Sequence, residues 1–331
     1  MLGCAPVPRF GVAFDGRNPM PVLLEQARAA EAAGAATLWV SDHLFLREPF
    51  ATAAAVLGVT TRARAALLAV SPHVVHPVQI AMAAATLDEL APGRVVLCLG
   101  TGAPGDLADA GVEPKRRLRA VREAIELTRL LLAGTTVYYD GEIFRVHGRR
   151  LHSGSHAVPI FLAASGPQGL ELAGAAADGV VISAASSVEF VRWALDHVER
   201  GAKGRALTRA GLVYVAPAED EADALGRFRR QLAITLRSGH HATNVQLAGG
   251  ALDHDALRRA VLSEDWPRAE AFITDDIVRR HTAAGTPAQV RERLAAYAAA
   301  GLDEIVLAGM YDSAETSRTL AVAALLGAAT K

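Results

Sequence analysis

Asp42 and His43 stand side by side at the end of an apolar run, in LWVSDHL. A histidine there gives or takes a proton near neutral pH, and an adjacent carboxylate orients it. The pair equally suits a structural role, with Asp42 capping a turn and His43 packed on a loop. A second candidate lies in PIFLAASGPQGLEL, where an apolar run enters Ala164, Ser165, Gly166 and Pro167 and a helical pattern follows. Uncovered amides and the dipole at a helix start favour an anion, and proline needs no N–H in the first turn. A phosphate fits such a turn; so does close βα packing with no ligand. Third, Gly100, Thr101 and Gly102 follow VVLCL. Glycines let a flat ring or a phosphate approach the backbone, and they also make tight turns. No complete GxGxxG stands here with an acidic residue at the right distance, which discounts a nicotinamide-binding Rossmann site.

Other histidines fit structural roles. His73 and His76 flank a strand–helix junction, and His76-Pro77 reads as a helix entry. Adjacent side chains such as His240 and His241 diverge on a helix, which argues against a metal site. The two cysteines, Cys4 and Cys98, have no metal-ligand spacing, and Cys98 sits in an apolar run as a buried thiol.

These residues need a scaffold that brings strand ends together. Apolar runs at 10–14, 37–41, 66–71, 95–99, 160–163, 180–183, 212–216 and 304–308 predict eight strands. Helical patterns at 20–33, 77–90, 115–133, 168–176, 188–203, 219–238 and 287–300 alternate with them. Eight such units predict a closed (β/α)₈ barrel in a single domain spanning 1–331; a doubly wound open sheet ranks second. Gly34 and Gly301 mark helix stops, and Thr286-Pro287 marks a start. Two insertions stand out, near 135–157 and 238–285. In the first, Asp140-Gly141 marks a hairpin. In a barrel the active site lies at the C-terminal strand ends. That selects Asp42, His43, the glycines from 100 to 102 and the Ser165 turn.

Hydrophobic residues make up 51% of the 331, ample for a large core. A net charge of −1 provides no global field for nucleic acid. No apolar run reaches the roughly 18 residues of a membrane span, and no signal-peptide pattern opens the chain. A soluble cytoplasmic enzyme acting on a small molecule is expected.

The chain resembles the bacterial luciferase-like superfamily, and within it the barrels that use the deazaflavin coenzyme F420. The carriers are LWVSDHL (38–44), HPVQIAMAAATLDELAPGRVVLCLGTG (76–102) and RLRAVREAIELTRLLLAGTTVYYDGEIF (117–144). PIFLAASGPQGLELAGAAADGVV (159–181) and GTPAQVRERLAAYAAAGLDEIVL (285–307) continue them. The resemblance implies that Asp42 and His43 lie beside the cofactor ring, with His43 in catalysis. It implies that Leu68, Ala69 and Val70 form a bulge behind the ring, often through a non-prolyl cis peptide. Ala164, Ser165, Gly166 and Pro167 then match the phosphate loop, and the 135–157 hairpin an insertion near the mouth. It further implies a homodimer.

The chain departs from the sugar-phosphate dehydrogenases of that branch. Ala103 replaces their catalytic glutamate, Asp106 an asparagine, and Ser186 the lysine for substrate phosphate. Leu46 and Arg47 stand where a tryptophan is expected. The expected function is hydride transfer between F420 and an uncharged organic substrate, at a mouth lined by Phe14, Leu44, Phe45 and Val74. A reduced-FMN monooxygenase is the second expectation. A non-catalytic cofactor-binding relative is the third.

Overall fold

The computed structural model describes residues 9–328, so Cys4 lies outside the described residues. Its strands are β1 (Arg9–Phe14), β2 (Thr37–Ser41), β3 (Arg64–Val70), β4 (Val95–Leu99), β5 (Val137–Asp140) and β6 (Arg145–Arg149). They continue with β7 (Ile160–Ala163), β8 (Gly179–Ile182), β9 (Thr208–Pro217), β10 (Ala283–Gly285) and β11 (Glu304–Ala308). The large sheet runs β10-β9-β11-β1-β2-β3-β4-β7-β8, and β9 also pairs with β8. This is the expected (β/α)₈ barrel, not an open sheet. All eight expected strands are present, and β10 is an addition that pairs in parallel with the end of β9. Strands β2, β4 and β11 are buried at every position, which explains their largely apolar sequences.

Some helices differ from expectation. Pro49–Val59 escaped notice because PFATAAAVLGV is apolar on nearly every face and shows no helical period. Pro104–Asp109 and Ser313–Ala328 were also missed. The helix expected over 219–238 is two, Glu221–Gly226 and Arg229–Leu236, broken beyond Gly226. Gly34 and Gly301 adopt φ of +93° and +107°, as helix stops require. Thr286 caps Pro287–Ala299 through a capping box with Gln289. Among the described residues no helix is long and apolar enough to cross a membrane.

The chain packs as two compact units. One comprises residues 11–181 and 197–208. Its core holds Trp39, Leu67, Leu97 and Phe161, with the Trp39 and Phe161 rings 6.1 Å apart. Its first insertion is the expected hairpin: β5 and β6 pair antiparallel around Asp140-Gly141. One buried carboxylate fixes the hairpin tip. Glu123, on the helix Arg117–Leu132, accepts the N–H groups of Glu142, Ile143 and Phe144 at 3.0, 2.9 and 3.1 Å. Arg119 stands 3.5 Å from the same side chain. The Phe144 ring then meets His76 edge-on at 5.3 Å. The tip therefore reaches the first turn of Pro77–Leu90, the outer rim of the strand ends.

The other unit comprises residues 9–10, 182–196 and 209–328. Its second core gathers Phe228, Leu232, Leu236, Val245, Leu257, Ile273 and Val278 from several short helices. The loop after β8 is pinned from three sides. Ala185 O accepts from His281 Nδ1–H at 3.0 Å and from the Asn244 side-chain amide at 2.7 Å. Tyr297 donates its hydroxyl to Ser186 O at 2.7 Å. Burial pushes His281 down to about 4 and His241 to about 3, so both are neutral near pH 7.

Replacing Glu123 by Ala strips three backbone N–H groups of their acceptor. We expect a loss of ~2–4 kcal/mol in denaturant unfolding and faster amide exchange at residues 142–144. Unchanged exchange there would show that Glu123 does not hold the tip.

Candidate active site

A one-residue mismatch between neighbouring strands shapes the site. Ala65, Ala66 and Leu67 of β3 pair with Val95, Val96 and Leu97 of β4, but the next pair is Val70 with Leu99. Strand β3 thus carries one residue more and bulges at Leu68 and Ala69, where the expected non-prolyl cis peptide falls at Leu68-Ala69. Gly100 lies against the bulge. A Cβ there would come within 2.9 Å of the Ala69 Cβ, so no larger residue fits. Gly102 has φ of +78°, and a Cβ would meet Leu107 at 2.8 Å and Ser71 Oγ at 3.1 Å. The two glycines therefore make room for close packing: Ala69 lies against Gly100, and Leu107 and Ser71 lie against Gly102.

The bulge also positions Asp42. Its N–H donates to Leu68 O at 2.6 Å, and its carboxyl accepts the Ser71 N–H. Burial pushes the Asp42 carboxyl up to about 6; Glu48 and Asp106 add to the rise, while His43 and the Ser71 N–H oppose it. His43 is exposed, and its Nδ1 stands 3.6 Å from Asp106 Oδ2. A shallow recess, partly open to solvent, is lined by Asp42, Leu44, Ala69, Ser71, Val74, Gly102, Ala103, Asp106 and Leu107. Arg47 ties the neighbouring loops by donating to Gly16 O at 2.8 Å and Arg17 O at 3.0 Å.

Not every expected residue joins this recess. Leu68, Val70 and Gly100 support it from the strands, and Thr101 is half-buried beside Gly102. Ala164, Ser165, Gly166 and Pro167 form the next junction, where β7 enters the helix Pro167–Ala176. Gly166 is the N-cap, and no side chain caps that helix. Phe14, expected at the mouth, is 6% exposed and belongs to the core, whereas Phe45 is 73% exposed. His76 accepts the Val78 N–H through Nδ1 and caps its helix, as its Pro77 neighbour predicted. His73 is held below its ordinary value by burial and by Arg117, and its buried Nε2 has no hydrogen-bond partner among the described residues. His240 and His241 do not diverge: they sit in a 3₁₀ turn with ring centroids 4.0 Å apart. Among the described residues no group of three or more His, Cys, Asp or Glu side chains is placed to hold a metal ion. Cys98 is buried, and burial pushes its thiol well up.

Two contributors were not picked out by sequence. Asp106 was noted only as a departure, although an acid in the first turn of a helix at a strand end was a usable signal. The Ser71 backbone N–H leaves no signal in residue type.

A parallel barrel with a protonable pair at its strand ends defines a class, and the comparisons place it. The chain belongs to the luciferase-like monooxygenase family, whose model matches residues 9–304. The 5,10-methylenetetrahydromethanopterin reductase of Archaeoglobus fulgidus is 27% identical over 90% of this chain and 92% of its own. The F420-dependent glucose-6-phosphate dehydrogenase of Nocardia farcinica is 30% identical over 86% of each chain. The solved coenzyme F420 dependent tetrahydromethanopterin reductase from Methanopyrus kandleri superposes with a TM-score of 0.86 at 21% identity, covering 96% of this chain and 97% of that one.

The raised Asp42 carboxyl gives a stability signature. Its folded value, about 6, lies above its unfolded one, so ionisation is penalised in the native state. The penalty is absent below about pH 4 and complete above about pH 6. Asp42→Asn removes it while keeping an acceptor for Ser71. We expect this variant to melt ~2–4 °C higher than wild type at pH 8 and to converge with it at pH 4. A variant less stable at pH 8 would contradict the assignment.

Proposed function

We propose that this protein is an F420-dependent oxidoreductase that exchanges hydride between the deazaflavin and a small, uncharged organic substrate. The observation that carries the proposal is the Asp42–His43 pair beside a recess whose wall is built partly from small residues, Ala69, Ser71, Gly102 and Ala103. A flat ring fits against such a wall, because the side chains of Ala69, Ser71, Gly102 and Ala103 are short or absent. The names of the relatives support the cofactor. When bound, the deazaflavin supplies two-electron hydride exchange.

The chain's own residues do the rest. The bulge at Leu68, Ala69 and Val70, with Gly100, Thr101 and Gly102, backs the ring. Ala164, Ser165, Gly166 and Pro167 take its phosphate on the uncapped amides of Pro167–Ala176. His43 gives or takes the substrate proton, and Asp42 holds the adjoining edge of the site. Exposed Phe45 and Val74 favour an apolar substrate. A sugar phosphate is disfavoured: Ser186 is buried, and its hydroxyl is spent on Ser183 O at 2.8 Å. A net charge of −1 argues against nucleic acid as a partner. A homodimer in the cytoplasm completes the reading.

Fluorescence quenching with F420 and, separately, with FMN tests the cofactor. We expect F420 to bind at least about tenfold more tightly, a difference of ~1.4 kcal/mol. Preference for FMN would overturn the proposal in favour of a monooxygenase, and binding of neither would favour a non-catalytic relative. His43→Ala should retain F420 binding and cut turnover by roughly 10²–10⁴-fold; an unchanged rate removes His43 from the chemistry.

A further inference from the structure

We propose that Asp106 is a positioning residue for His43, its carboxylate taking the Nδ1–H so that the Nε2 lone pair is the one offered to a reacting proton. This deepens the proposed function and rests on His43 as the proton-transfer group. His43 follows β2 and Asp106 follows β4, and β3 lies between those strands. Their contact therefore reaches past the end of β3, where Ala69 and Ser71 line the same recess as Asp106. Asp106 is fixed there by its helix. Its neighbour Leu107 is 1% exposed, and Gly102 makes the turn that starts the segment. The carboxyl adjacent in sequence, Asp42, accepts the Ser71 N–H. That leaves Asp106 as the carboxylate facing Nδ1, with its Oδ2 at 3.6 Å.

The chemical consequence is a choice of tautomer. A neutral imidazole carries one N–H, and the hydrogen bond made by one nitrogen decides the role of the other. In water, free histidine prefers the Nε2–H form, which could not accept a proton at Nε2. A carboxylate at Nδ1 reverses that preference. Together Asp42, His43 and Asp106 place one base between two acids, with Glu48 the further charge facing Asp42.

The test is side-chain nitrogen NMR on the ¹⁵N-histidine-labelled protein at about pH 9, where an ordinary histidine is neutral. Cofactor is left out, so F420 binding and this proposal fail independently. Wild type should show His43 mainly as Nδ1–H. Asp106→Ala should move the ratio toward Nε2–H by about tenfold or more, the scale of a hydrogen bond to a charged group. Asp106→Glu should restore Nδ1–H. His281, whose Nδ1–H is held by Ala185 O, should be unchanged throughout and reports an intact fold. A wild-type His43 mainly in the Nε2–H form would overturn the proposal. So would a ratio indifferent to Asp106→Ala with His281 intact.

Discussion

The extra residue that β3 carries against β4 governs the candidate site. It can exist only because Gly100 presents no Cβ to Ala69. From that fit the rest follows by short contacts. The bulge turns Leu68 O toward the Asp42 N–H and brings the Ser71 N–H onto the Asp42 carboxyl. Beside the same bulge, His43 from the end of β2 meets Asp106 from beyond β4. A single register defect thus sets both the small-residue wall of the recess and the place of Asp42 beside it.

Elsewhere the fold meets the cost of burying polar groups by pairing them. Glu123 is 2% exposed, yet it is satisfied by three backbone N–H groups and Arg119. The same carboxylate converts a surface hairpin into a fixed rim element. In the other unit, His281, Asn244 and Tyr297 hold the loop after β8, and Ser186 is consumed within it. Loops at strand ends are expected to be mobile. Here polar side chains from later helices bind down the loop after β8, and the exposed, left-handed Phe45 (φ +67°) is left to face solvent near the recess.

Local pattern was enough for most of the architecture. The strands were legible because parallel strands covered on both faces read as unbroken apolar runs. The Asp140-Gly141 turn and the Thr286-Pro287 cap were legible because their chemistry is confined to a few adjacent residues. Pro49–Val59 was not: only the face of Pro49, Thr52, Ala53, Val56 and Leu57 is buried, but alanine and other apolar residues on the opposite face hide the period. Phe14 was misplaced at the mouth because alternation along a strand end does not say which side the core takes.

By itself, then, the sequence determined the barrel, its insertions and the strand ends at which chemistry could lie. Those depend on residue type and spacing within one element. Only the tertiary structure decided that Asp42 is desolvated and bonded to Ser71, that Gly100 receives the bulge, and that Asp106 faces His43. Each of these joins residues from different strands, and their meeting is set by register, by one inserted residue and by the size of a missing Cβ.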